Sequence, residues 1–174
     1  AGIGAAWTYV ERLAHQQHFP PSTIGLAAAA SLGCQVIAAW ASAWLSSRVR
    51  KWPTVLILIS LQAAAMTLAV ATHAPAAFIA AVCIFGAAPA AMQPFQVAEV
   101  IALDPTRRAA LLVGPTILVG NGLGPLLASF ATTQADVTAG FWMAVWMSAA
   151  SAAVYALSAV RSGRSLAPPE FWAA

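Results

Sequence analysis

Charge is what this chain has least of. Asp, Glu, Lys and Arg make up 7% of its 174 residues, against about 25% in ordinary soluble domains. Apolar residues make up 61% and mean hydropathy is +0.79, so a soluble domain would lack the polar groups to cover its surface. The net charge of +3 does not point to nucleic acid, because the few basic residues sit at segment ends rather than on one stripe. Cysteine is scarce. Cys34 and Cys83 both lie inside apolar stretches and read as small buried hydrophobes, not as a disulfide or a metal pair. A sustained period-two alternation is absent, which argues against a strand barrel. No G-x-x-x-x-G-K run occurs, so a phosphate-binding loop of that kind is not the energy source. Histidine is missing from the depth of every apolar stretch, and Asp104 and Asp136 fall at turns on opposite sides. Hydrolysis inside a bilayer would need a Ser/His pair, paired Asp residues or a zinc-binding His cluster at depth. The chain is therefore not expected to be an enzyme, and no cofactor or metal is expected. His15 and His18 share one loop, without a carboxylate or thiol close in sequence to complete a metal site. No signal peptide is visible. The chain opens at Ala1 directly in a helix-like run and reads as a piece of a longer protein.

Present instead are long uncharged stretches. Residues 22–47 are long enough, at about 1.5 Å per residue, to cross a hydrocarbon core of about 30 Å with some tilt. Pro20 and Pro21 precede them, and Ser22 or Thr23 is a candidate cap. The next uncharged stretch, 52–98, is too long for one crossing of about 20 residues. It must fold back at Thr72-His73-Ala74-Pro75, its one polar break. The expected spans are about 1–15, 22–47, 53–71, 76–101, 109–132 and 137–160, with an irregular tail at 161–174. The first span is expected to be incomplete. Turns this short make sequential helices antiparallel neighbours.

The basic residues then fix direction. Arg48, Arg50 and Lys51, then Arg107 and Arg108, then Arg161 and Arg164 each close an apolar stretch. The junctions between them, at 15–21, 72–75 and 133–136, have no Lys or Arg. Basic residues are retained on the cytoplasmic side, so these three clusters and the C-terminal tail are expected inside. Only Arg12, within the first helix, breaks the alternation. The expectation is an all-α, multi-pass protein of the cell (inner) membrane.

A few polar residues sit at depth. Glu11 lies about 9 Å of helix inside the expected outer boundary. A carboxylate there is costly and normally faces a polar cavity or a partner, so Glu11 is a candidate for binding a proton or a cationic group. Arg12 is not its partner, since i,i+1 residues do not face each other on a helix. Pro89 and Pro94 interrupt the fourth span and free backbone carbonyls, which is tolerated where the site faces protein or water. Gln93 and Gln96 stand beside them, and Gln93 is the candidate hydrogen-bond donor to a substrate. Gln35 and Asn121 either bond across helices or reach a cavity. Gly120 and Gly124, one turn apart, strip side chains from one helix face, and Pro125 bends that helix. Glu99 and Asp104 are expected to pair with Arg107 and Arg108 at the inner end of the fourth span. Trp142 and Trp146 read as a lipid-facing aromatic stripe.

Six helices with both ends inside resemble the C-terminal half, the seventh to twelfth helices, of a major facilitator superfamily protein. Three stretches carry the resemblance, which covers nearly the whole chain. Residues 43–51 are similar to the family's cytoplasmic loop signature, G-x-x-x-D-R-x-G-R-R. Arg48 matches, Arg50 stands in place of the inner glycine with Lys51 after it, and Ala43 and Ser47 replace the first glycine and the aspartate. Residues 120–129 are similar to the later part of the antiporter motif, G-x-x-x-G-P-x-x-G-G, with Ala128 and Ser129 in place of the last glycines. Trp7-Thr8-Tyr9-Val10-Glu11-Arg12 resembles a W-x-Y-x-E-R stretch in the seventh helix of some bacterial members. The resemblance implies a secondary transporter that moves a small organic molecule by alternating access, proton-coupled and in the direction of export. It implies a substrate or proton pathway through Trp7, Glu11, Gln35, Gln93 and Asn121, and hinges at Pro89, Pro94, Gly120, Gly124 and Pro125. The implied partners are the lipid bilayer, a substrate, a proton and an N-terminal six-helix half. Internal three-helix repeats are implied as well, though none is visible by inspection. The competing readings are an intramembrane enzyme and a non-transporting membrane scaffold.

Overall fold

A computed structural model describes residues 2–104, 106, 108–132 and 137–161. The expected turn at 133–136, Arg107, and the tail from 162 onward with Arg164 lie outside the described residues. The described chain is all-helical, without a strand. Its helices are α1 (Gly2–Gln16), α2 (Pro21–Leu45), α3 (Lys51–Ala71), α4 (Pro75–Leu103), α5 (Arg108–Leu111), α6 (Val113–Ala131) and α7 (Thr138–Arg161). Five stretches are long and apolar enough to cross a membrane: Pro21–Leu45, Lys51–Ala71, Pro75–Ala102, Arg108–Phe130 and Thr138–Ser158. With 15 residues, α1 spans about 22 Å, less than the hydrocarbon thickness.

Prolines set two of the helix starts. Pro21 and Pro75 each hold a first helical position, where a missing amide hydrogen costs nothing. Pro20 is extended, as a residue before proline must be, and its carbonyl accepts the amides of Thr23 and Ile24. The helix thus begins one residue earlier than expected. Ser22 and Thr23 fall inside its first turn and do not cap it. Lys51 likewise opens α3 two residues before Pro53.

The fifth expected span is not one straight helix. Residue 115 is proline and has no amide to give the carbonyl of Leu111, four residues back. At that level Leu112 donates to Ala109, a tighter three-residue spacing at 3.1 Å, and the chain divides into α5 and α6. Pro89 and Pro94 do not have this effect. The 29-residue α4 runs unbroken through both, although each leaves a carbonyl, of Phe85 and of Ala90, without its amide donor.

The five largest packings are α2 on α4, α3 on α4, α3 on α7, α1 on α6 and α1 on α7. Exchanging α1 with α4, α2 with α6 and α3 with α7 carries this set into itself. The first three long helices and the last three therefore pack by one rule. Because the short connections reverse the chain at each step, the two triplets run in opposite directions.

The buried core forms two clusters. The larger holds Tyr9, Leu13, Phe19, Met66, Phe78, Phe85 and Phe141, and the smaller holds Val55, Ile59, Met92 and Phe95. Phe19 and Phe78 meet with ring centroids 4.9 Å apart. Gln17 ties the α1–α2 connection to the end of α3 by donating to the carbonyls of Ala69 and Val70. The cysteines differ from expectation. Cys34 and Cys83 are partly exposed rather than buried, and their side chains are neighbours across the α2–α4 packing. Helix pairing, which a single stretch of sequence does not carry, brings them together.

Candidate functional site

The site begins with two close helix crossings. On α1, a Cβ added at Gly4 would stand 2.3 Å from the carbonyl oxygen of Asn121 and 2.8 Å from its Cα. That oxygen is the one Pro125 leaves without an amide donor, being four residues back. Only a residue without a side chain lets α1 lie against it. On α4, a Cβ at Gly86 would stand 2.2 Å from the Ser31 hydroxyl, 3.0 Å from the Gln35 amide nitrogen and 3.3 Å from the Trp7 ring. Ser31, fully buried, donates to the carbonyl of Val82 at 3.0 Å and fastens α2 to α4. Exchanging the two helix triplets exchanges these crossings: α1 on α6 at a glycine, α4 on α2 at a glycine.

Between the crossings lies a cleft of about 230 Å³. Trp7 of α1, Gln35 of α2, Ile117 and Asn121 of α6, and Gly86, Pro89, Ala90, Met92, Gln93 and Gln96 of α4 line it. The α4 residues recur every three or four positions and form one stripe. Trp7 is braced from behind by Phe85, with centroids 5.4 Å apart. None of the lining side chains is charged.

Four of the five residues expected on the substrate or proton pathway meet here: Trp7, Gln35, Gln93 and Asn121. The fifth, Glu11, does not. It shares a stripe with Trp7 but lies one turn, about 6 Å, further along α1, past the margin of the cleft. There its side chain is 75% exposed, 3.8 Å from His15. Arg12 lies over the Tyr9 ring, 5.7 Å from the centroid. Of the hinge candidates, Pro89 lines the cleft, Pro94 lies on α4 beside Gln93, and Gly120, Gly124 and Pro125 lie on α6 around Asn121. Gly124 is buried and Gly120 partly so. Gln96, Met92, Gly86 and Ile117 complete the cleft. Gln96 was visible as a polar residue at depth, but Gly86 carries no local signal, because its role depends on what α2 sets against it.

The amides are distinctive in one further respect. The hydroxyls of Thr8, Ser42, Thr67, Thr116, Ser129 and Ser148 are satisfied by carbonyls of their own helices. Among the described residues, the side-chain amides of Gln35, Gln93, Gln96 and Asn121 have no such bond and face the cleft instead.

At the α4–α5 turn, the expected partner Arg107 lies outside the described residues. Asp104 accepts the amides of Thr106 and Ala109 and the Thr106 hydroxyl, at 2.9, 2.8 and 2.6 Å, and so organises the turn into α5. These bonds, that from Ala109 first, hold its carboxyl below the usual aspartate range. Glu99 accepts a hydrogen bond from the Tyr155 hydroxyl of α7. The basic turn at 48–51 is anchored by Arg48, whose guanidinium lies over the Trp44 ring, 3.7 Å from the centroid. Trp142 and Trp146 are exposed on α7.

Comparison with known proteins assigns no family: no family model, no curated protein and no solved structure matches the chain.

Proposed function

We propose that this chain is one half of a secondary carrier of the major facilitator type, moving a small organic molecule across a membrane by alternating access. The observation that carries the reading is the cleft. It is small, uncharged and largely apolar with four carboxamides on its walls, and lies between α1 and α6 on one side and α2 and α4 on the other. Each side joins one helix from each oppositely directed triplet. In carriers, substrate sites lie near the midplane where such inverted repeats meet. Pro89, Pro94 and Pro125 leave backbone carbonyls undonated around it, which is tolerated at membrane depth beside protein or a cavity. In this proposal the second wall of the site comes from an N-terminal six-helix half, and the basic turns at 48–51 and 107–108 face the cytoplasm of the inner membrane. The proposed coupling ion is the proton, with Glu11 as its candidate carrier outside the cleft, since a carboxylate on a membrane helix is retained for a purpose.

The test is flux. The chain together with its N-terminal six-helix half, reconstituted in phospholipid vesicles with a pH difference, is offered a pooled metabolite extract. The expected result is accumulation or expulsion of at least one small organic compound, lost when the gradient is dissipated and altered in its pH profile by Glu11→Gln. Binding without movement, at any gradient, rules the carrier out in favour of a scaffold.

A further inference from the structure

We propose that the cleft receives an uncharged molecule rich in hydroxyl or amide groups, of about monosaccharide size; this rests on reading the cleft as the carrier's binding site. Four of the side chains facing it are carboxamides, Gln35, Gln93, Gln96 and Asn121, set among apolar ones. Each offers two donor hydrogens and one acceptor oxygen. Among the described residues none of them is engaged with protein. At membrane depth an unengaged amide is costly, so the four are retained for something that enters the cleft.

No charged side chain lines this chain's wall of the cleft, which sets the class of the ligand groups that lie against it. An ammonium or carboxylate brought into the cleft would lose water and meet no opposite charge there, the arrangement whose desolvation cost is not repaid. The nearest carboxylate along α4, Glu99, lies outside the lining and is engaged by Tyr155. Hydroxyl and amide groups match the walls instead, because they donate and accept at once, as the four carboxamides do. Trp7 adds a flat apolar face, fixed in place by Phe85, against which the carbon face of a ring can lie. The part of the ligand held by this chain follows from the space: 230 Å³ is that of roughly eight waters at about 30 Å³ each. A site of this kind also rejects analogues lacking a hydroxyl or amide, because its own polar groups are then left unpaired.

Equilibrium dialysis of the full chain in lipid nanodiscs tests this. The probe is a pool of uncharged polyols and nucleosides, organic ammonium ions and organic carboxylates of matched size, with retained compounds identified by mass spectrometry. The expected result is retention of uncharged compounds, with affinity about tenfold weaker in Gln93→Leu. Gln93→Glu keeps the side-chain length and is expected to shift retention to ammonium compounds, so a specificity change is readable even where Gln93→Leu folds poorly. Retention of ions by the wild type, retention of nothing, or retention indifferent to both substitutions overturns the proposal. The carrier reading fails separately. Uncharged compounds bound but never moved across vesicle membranes sink the carrier and leave the ligand class standing. Ions moved in a Gln93-dependent way do the reverse.

Discussion

At the scale of single residues, glycines of identical composition have opposite roles. Gly4 lies against the backbone of Asn121, while Gly25 and Gly33 of α2 have nothing within 4 Å of where a Cβ would be. Gly4→Ala forces two backbones apart and is expected to cost about 1–3 kcal/mol. Gly25→Ala is expected to be neutral or to stabilise by up to about 1 kcal/mol, because alanine holds a helix better than glycine. Thermal unfolding in detergent separates them, and equal melting temperatures would show that the α1–α6 crossing is looser than described. Gln62 gives a second contrast. It is only 4% exposed, on α3, and its amide oxygen has no partner. Gln62→Leu removes that uncompensated acceptor and is expected to raise stability by about 1 kcal/mol. A lower melting temperature in the same assay would mean that the amide is satisfied in a way the structure does not show.

At the scale of elements, apolar run length and polar breaks pointed to an all-helical chain, and five stretches among the described residues are long and apolar enough to cross a membrane, where a helix satisfies its own backbone. Their ends and interruptions were less legible. Pro89 and Pro94 look stronger as helix breakers than Pro115, yet α4 continues through both while the chain divides at Leu112, ahead of Pro115. The packing of α2 and α3 along α4 supplies what α4 loses in hydrogen bonding. The segment around Leu111 and Leu112, 77% and 63% exposed, has no such support. In the turn between α4 and α5, Asp104 accepts the backbone amides of Thr106 and Ala109. Those amides favour the charged carboxylate, so its folded-state pKa is depressed. The turn's order is therefore present at pH above the ordinary aspartate value and is lost as pH falls through the depressed one. Following the Ala109 amide signal by NMR during acidification is expected to give a midpoint below the ordinary aspartate range, absent in Asp104→Asn. A midpoint at or above that range would remove Asp104 as the organiser of the turn.

At the scale of the whole molecule, the candidate site divides into what one helix shows and what only a pair of helices shows. Gln35, Gln93 and Asn121 could be picked from the sequence because an amide inside an apolar run needs a polar neighbour, whichever helix provides it, and Trp7 entered through the resemblance carried by residues 7–12. Glu11 satisfied the same criterion and stands outside the cleft, since its depth was counted along one helix and the cleft ends one turn earlier. Gly86, Ser31 and the adjacent thiols of Cys34 and Cys83 depend on the register of α2 against α4, which no local pattern encodes. The inverted packing of the two triplets was invisible for the same reason: it is a relation between contacts, not between residues.

All of this presumes that the helices cross a bilayer with the basic turns inside. Thiol labelling in intact cells tests it most directly, with Cys34→Ala and Cys83→Ala removing the native thiols and a single cysteine placed by His73→Cys or by Ser47→Cys. A membrane-impermeant reagent is expected to label the His73→Cys protein from outside and the Ser47→Cys protein only after the cells are opened. Labelling in the reverse order, equal labelling of both in intact cells, or recovery of the protein in the aqueous fraction without detergent would contradict the account.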